Sequence, residues 1–288
     1  MCQLFALNAA EPTDITFSFT GFAARGGLTD DHVDGWGIAF YEGKGCRLFA
    51  DDRPAHTSPI AAFVKAHPVK SRNVVAHIRK ATQGRPSVEN CHPFMRELSG
   101  LQWVFAHNGD FNVFEPLTSG PFSPVGTTDS EAVFCSMMNT LAARFRGAAI
   151  QFDAVFDALI AIVEGLNPKG TFNFLLSNGE AQFAYCSTRL AYVTRAWPFS
   201  SARLVDADLS IDFSERGKPE DCTTVIATTP LTDEEWVICR PGDLLMFSRG
   251  ALQRQAFIPV PERISASASE TAHEASHPTA DCALAALP

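Results

Sequence analysis

Two consecutive helical stretches, with strand-like runs on both sides of them, constrain this chain more than any other feature of its sequence. The first fits 129–146, where Val133, Phe134, Met137, Met138, Leu141 and Phe145 recur on one face until Gly147. Thr128 and Glu131 stand in front of it at capping-box spacing. The second fits 151–165, with Phe152, Val155, Phe156, Leu159, Ile162 and Val163 facing inward. Before this pair, 3–7, 36–41, 73–79 and 102–107 read as strands; after it, 171–177, 181–186, 190–194, 223–228 and 243–248 do. Strands gathered in two groups around a helix pair do not alternate as βαβ units do, so the expected class is α+β, built in layers. A further short helix fits 58–66. The stretch 13–24 fits a strand through Phe17 and Phe19, or a helix through Ile15, Phe19 and Phe22.

The chain has 288 residues, which allows one large domain or two small ones. No internal repeat or linker divides the core, so one domain over 2–260 is expected. From 262 to 288 the residues are mainly Ala, Ser, Thr, His and Glu with no buried face, which reads as a flexible tail. Hydrophobic residues make up 46%, enough for a core and too many for a disordered or fibrous chain. Lys and Arg number 23 against 32 acidic residues, a formal charge of -9, which argues against a general nucleic-acid or anionic-membrane binder. No apolar run is long enough for a spanning helix. No signal peptide is visible, and the eight cysteines contain no C-x-x-C pair, so a reduced, cytoplasmic protein is expected.

The chemistry must come from polar clusters set in apolar strands, because no Gly-rich phosphate loop, H-E-x-x-H or G-x-S-x-G is present. Cys2 becomes the terminal residue once Met1 is removed, and its α-amine, with a reference pKa of about 7.7–8.0, is then a base beside its own thiol. The alternative is an ordinary thiol. In AHIRKATQG, 76–84, Arg79 followed by Thr82 and Gly84 suits a carboxylate clamp. Taken alone, a structural ion pair explains Arg79 better, and His77 reads as a hydrogen-bonded structural residue. In FAHNGD, 105–110, Asn108-Gly109 fits a hairpin turn, or an oxyanion hole made of the Asn108 amide and the Gly109 N–H. Asp129 fits a helix cap or an anionic partner for a substrate ammonium. Asn90 and His92 read as turn residues supporting a pocket. A metal site drawing on Cys2, His77, Cys91, His92 and His107 is disfavoured, since no close ligand pair of the usual zinc type occurs and adjacent Cys91 and His92 diverge.

Taken in order, Met-Cys at the start, DGWGIAFY at 34–41, AHIRKAT at 76–82, NCHPF at 90–94, HNG at 107–109 and TDSE at 128–131 resemble the class II glutamine amidotransferases. These are N-terminal nucleophile (Ntn) hydrolases, and the likeness is greatest to their compact stand-alone bacterial type. FNFLLSNG at 172–179 and ATTPLTDEEW at 227–236 extend the likeness beyond the catalytic core. The resemblance implies a four-layer αββα sandwich of two antiparallel sheets. It implies Cys2 as nucleophile with its freed α-amine as base, and Asn108 and Gly109 as oxyanion donors. Arg79, Thr82 and Asp129 would bind the glutamine head group, and neither metal nor cofactor is required. The substrate would be glutamine or another γ-glutamyl compound, and a separate acceptor or synthase protein is a possible partner. The alternative is a partner-dependent or non-catalytic amino-acid-binding subunit. The chain departs from better-characterised relatives at Lys80 and Gln83, where they often carry Trp and His.

Overall fold

The computed structural model describes residues 2–81, 85–111, 119–146, 149–213 and 218–261. In chain order the strands are β1 (Gln3–Asp14), β2 (Trp36–Glu42), β3 (Gly45–Asp51), β4 (Lys70–Ile78), β5 (Phe94–Leu98), β6 (Leu101–Phe111), β7 (Gly170–Ser177) and β8 (Ala181–Tyr185). They continue with β9 (Ala191–Ala196), β10 (Ser201–Arg203), β11 (Ser210–Asp212), β12 (Cys222–Ala227), β13 (Val237–Ile238), β14 (Asp243–Ser248) and β15 (Ala251–Phe257). The helices are α1 (Thr16–Ala24), α2 (Pro59–Ala66), α3 (Asp129–Phe145) and α4 (Phe152–Leu166).

Two large sheets form, and every strand pair in both is antiparallel. One has seven strands in the order β13-β9-β12-β1-β4-β2-β3; the other has six, β15-β14-β8-β7-β6-β5. The alternation of side chains along each strand explains the layering. On β1 and β4, Leu4, Ala6 and Val75 point to the seam between the sheets, where they meet Val104, Ala106 and Leu175 of the second sheet. The alternate residues Phe5, Leu7, Val74 and Ala76 point outward to Phe19 and Phe22 of α1 and Val64 of α2. On the far side, Phe105, Phe172 and Phe174 pack against Val133 and Phe134 of α3 and Phe156 and Leu159 of α4. The result is an αββα sandwich, with both long helices in one outer layer. None of its helices is long and apolar enough to cross a membrane among the described residues.

The structure decides several points that the sequence leaves open. Helix wins over 16–24 because Ile15, Phe19 and Phe22 then enter one cluster with Trp36 and Val225. Thr128 does cap α3, its hydroxyl accepting from Glu131 N at 3.2 Å. Glu131 does not complete a capping box: its carboxylate accepts from Gly126 N at 2.6 Å and pairs with Arg96 at 2.6 Å. Strand β6 runs straight through Asn108 and Gly109, so this dipeptide is not a hairpin turn. The expected tail at 262–288 lies outside the described residues.

Candidate active site

The site forms where the leading end of β1 meets β6 across the seam between the sheets. Pairing of Gln3 with Ile78 and Leu4 with His77 sets the start of β1 beside the end of β4. Thr228 holds the other side: its hydroxyl accepts from Leu4 N at 2.8 Å, and its N–H donates to Leu4 O at 3.1 Å. Cys2, half-buried, then has its thiol 3.4 Å from the Lys80 carbonyl, while the Lys80 N–H donates to Sγ at 3.3 Å. Burial pushes the Cys2 thiol up from its ordinary value, against the lowering pull of the Lys80 N–H and of Arg79. The thiol is therefore protonated near neutral pH, and any attack by it needs a base.

Asn108 arrives from the opposite sheet. It is 1% exposed, and its Nδ2 donates to the Cys2 carbonyl at 2.6 Å. A side-chain amide carries two donor hydrogens, so one remains to be used after this bond is made. Gly109 follows it on β6, at a position that excludes any side chain. A Cβ there would collide with the Thr171 carbonyl and lie 2.7 Å from His107 Nε2. Close approach of β7, rather than turn geometry, is what requires glycine.

Arg79 extends the β4 line by one residue and is 4% exposed. Its N–H donates to Gly35 O at 2.8 Å, and its guanidinium donates to Asp34 O at 3.4 Å and Arg85 O at 3.3 Å. Gly35 has φ +106, and a Cβ on it would meet Cys91 Sγ at 2.6 Å, so the turn that supports Arg79 depends on this glycine. Asp129 opens α3 and ties it to β6, accepting from Phe111 N at 3.0 Å and from Ser130 N at 2.8 Å. Cys2, Arg79, Asn108 and Gly109 are thus brought together, with Asp129 anchored two residues beyond Gly109. Thr82 lies outside the described residues.

The histidine rings of the site lie against aromatic neighbours. His77 is fully buried, yet neither ring nitrogen has a hydrogen-bond partner among the described residues, and the same holds for His92. The two rings pack at 4.2 Å, and His92 rests on Phe94 at 4.4 Å. Cys91 turns away, its thiol donating to the Ser87 carbonyl at 3.3 Å, so it does not join them as a metal ligand would. His107 Nδ1 lies 2.8 Å from Ser130 Oγ. Burial holds all three rings below their ordinary value, with Asp129 partly opposing it at His107.

Because these folded-state values are depressed, the unfolded chain takes up protons first as pH falls. The stability that depends on these rings being neutral is therefore fully present above about pH 6.5 and is lost progressively below it. The melting temperature is expected to fall between pH 7 and pH 5, and to fall less steeply in His92→Phe. An identical pH dependence in the two proteins would show that His92 does not contribute.

Two supporting residues have no role assigned by the sequence, although Asn173 falls within the FNFLLSNG run. Arg25, 5% exposed, pairs with Asp206 at 2.6 Å and donates to the carbonyls of Thr229 at 2.9 Å and Pro230 at 2.6 Å. It thereby braces the segment that holds Leu4. Asn173 sits opposite Asn108 in the β6–β7 register. A separate cleft of about 700 Å3, flanked by Phe17, Lys70, Arg195 and Phe213, includes none of the candidate residues in its walls.

A sandwich of two antiparallel sheets between helical layers is the architecture of the Ntn fold, and Cys2 stands at the head of a central strand. The sequence model for class II glutamine amidotransferases matches residues 1–271, and the chain belongs to that family. It is 49% identical over 251 residues to YafJ of Escherichia coli (strain K12), covering 87% of this chain and 98% of YafJ. A 2.0 Å crystal structure from Pseudomonas aeruginosa superposes with a TM-score of 0.71 at 40% identity, covering 88% of this chain and all of that one. The chain is also 34% identical over 161 residues to the γ-glutamyl-hercynylcysteine sulfoxide hydrolase of Mycolicibacterium smegmatis, covering 53% of this chain and 60% of that enzyme.

Proposed function

We propose that this protein hydrolyses the γ-amide of glutamine or of a larger γ-glutamyl compound through a thioester on Cys2. The observation that carries the reading is that two donors converge on Cys2, the Lys80 N–H on its thiol and the Asn108 amide of the opposite sheet on its carbonyl. In this reading Arg79 binds the substrate α-carboxylate, and Asp129, with Thr82 beside the clamp, completes the head-group site. Holding both charged groups of the amino-acid head presents the γ-amide carbonyl to the thiol and raises the effective concentration of the reactants.

The raised thiol makes the base a requirement. After removal of Met1, the α-amine of Cys2 takes the thiol proton as sulfur attacks the γ-carbonyl. The carbonyl π electrons move to oxygen, which is held by Asn108 Nδ2 and Gly109 N–H. Collapse of this intermediate breaks the C–N bond, and the ammonium form of the α-amine gives its proton to the departing ammonia or amine. Water, deprotonated by the same amine, then attacks the thioester, and the sulfur leaves with that proton returned to it from the ammonium as glutamate is released. No step calls on a metal or cofactor.

The M. smegmatis relative is named for a γ-glutamyl substrate larger than glutamine, which supports the wider substrate class. Glutamate release should be measured on glutamine, glutathione and other γ-glutamyl amides. Release from at least one is expected, and release from none would overturn the hydrolase reading of the isolated chain. Arg79→Ala is expected to lower kcat/KM by about 30-fold or more, since unpairing a buried charge costs about 2 kcal/mol at least. Unchanged kinetics would remove Arg79 from the clamp.

A further inference from the structure

We propose that Asn173 is a positioning residue that fixes the direction of the Gly109 N–H, and through it the oxyanion hole; this rests on the reading above. Asn173 is fully buried on β7, directly opposite Asn108. Opposed residues of an antiparallel pair project to the same face, so its side chain lies in the seam with that of Asn108. Its Nδ2 donates to the Asn108 carbonyl at 3.0 Å and to Thr188 Oγ1 at 2.8 Å. Its Oδ1 accepts from three successive N–H groups, those of Ser187 at 3.0 Å, Thr188 at 2.9 Å and Arg189 at 3.3 Å. Both donor hydrogens are used, and the acceptor is saturated.

The bond to Asn108 O acts on the next residue. The carbonyl of Asn108 and the N–H of Gly109 belong to one planar trans peptide and point in opposite directions. Holding that carbonyl toward β7 therefore aims the Gly109 N–H toward the other edge of β6. Strand β5 covers that edge only from Leu101 to Phe105, so no described strand pairs with Gly109 there. The anchor is itself fixed, because the 187–189 turn carries the chain from β8 in one sheet to β9 in the other. Phe172 N donates to Ser187 Oγ at 2.8 Å, a second tie between the same turn and β7. Asn173 never touches the substrate; it transmits the rigidity of this crossover to the peptide that carries the donor.

The test compares Asn173→Asp and Asn173→Ser with the wild-type full-length protein. Aspartate keeps an acceptor for the three N–H groups but loses both donors, and serine is too short to span the site. Each variant is assayed for glutamate release and, separately, for alkylation of Cys2 by iodoacetamide, read by peptide mass. Alkylation uses the thiol and its base but forms no oxyanion, so a general loss of structure would slow it too. The expected result is a fall in kcat of about 10- to 100-fold with KM nearly unchanged. Cys2 alkylation should keep the wild-type rate. An unchanged kcat, or equal loss of hydrolysis and alkylation, would overturn the proposal. Failure of both variants to fold would also do so, assigning Asn173 to the fold alone. A wild-type protein without activity on any γ-glutamyl amide would instead overturn the hydrolase reading.

Discussion

Cys2→Ala is expected to release no glutamate above the uncatalysed background while keeping the wild-type fold. The first half follows from the mechanism, because without sulfur no thioester forms, and groups acting as one unit do not lose their effects singly. The second half follows from the contacts. Among the described residues the thiol bonds only to the backbone of Lys80, so its loss leaves the strand pairing of β1 with β4 and β12 intact. The melting temperature should stay within a few degrees of wild type, as expected for a loss below about 1 kcal/mol. A protein in which Met1 is retained should be equally inactive with its thiol intact, because the amine then belongs to another residue. Glutamate release by either protein at a rate near wild type would contradict the proposed nucleophile and base.

Asn108→Ala is expected to lower kcat by about 100- to 1000-fold, corresponding to about 2.7–4 kcal/mol for one oxyanion donor. The donor acts on charge that appears only during reaction, so KM should change little. Asn108 also holds the Cys2 carbonyl at 2.6 Å, which gives the substitution a second effect. Iodoacetamide alkylation of Cys2 separates the two: a misplaced Cys2 would be alkylated at an altered rate, whereas loss of the oxyanion donor alone would not change that rate. Steady-state kinetics with KM raised and kcat unchanged would assign Asn108 to ground-state binding instead.

How much of this was legible from sequence depended on whether a residue's environment is set locally. Helices α3 and α4 were readable because their apolar spacing is a local property, and strands such as β14, over Asp243–Ser248, because they are short apolar runs between breakers. Strand β1 outruns its readable part. Asn8 looks like an end to the apolar run, but it is buried, bonded to Asn73 at 2.8 Å and to Gly250 N at 2.7 Å. A buried polar residue with tertiary partners continues a strand that composition alone would stop. Strands β3, β5 and β15 lie at or near sheet edges and mix polar with apolar residues, so no clean alternation marks them.

The candidate site divides in the same way. Cys2 stands out by position, whereas Asn108-Gly109 has the same spelling in a turn and in a strand. Only the closeness of Thr171 from β7 decides between them, and that closeness is tertiary. Arg79 could be weighed as a clamp only in company with the other clusters. Arg25 and Asn173 act by bracing backbone from distant parts of the chain, and no local spacing announces such a role. His77 packs against a second imidazole contributed from the 90–94 segment, a contact that its own strand does not announce.

Cys2, with its α-amine free, is the proposed nucleophile. Intact mass and peptide mapping of the active protein, before and after reaction with an electrophilic glutamine analogue, test it most directly. The expected result is a chain lacking Met1 that gains one adduct, located on Cys2, with no adduct in Cys2→Ala. An active protein that retains Met1, or an adduct that survives in Cys2→Ala, would contradict it.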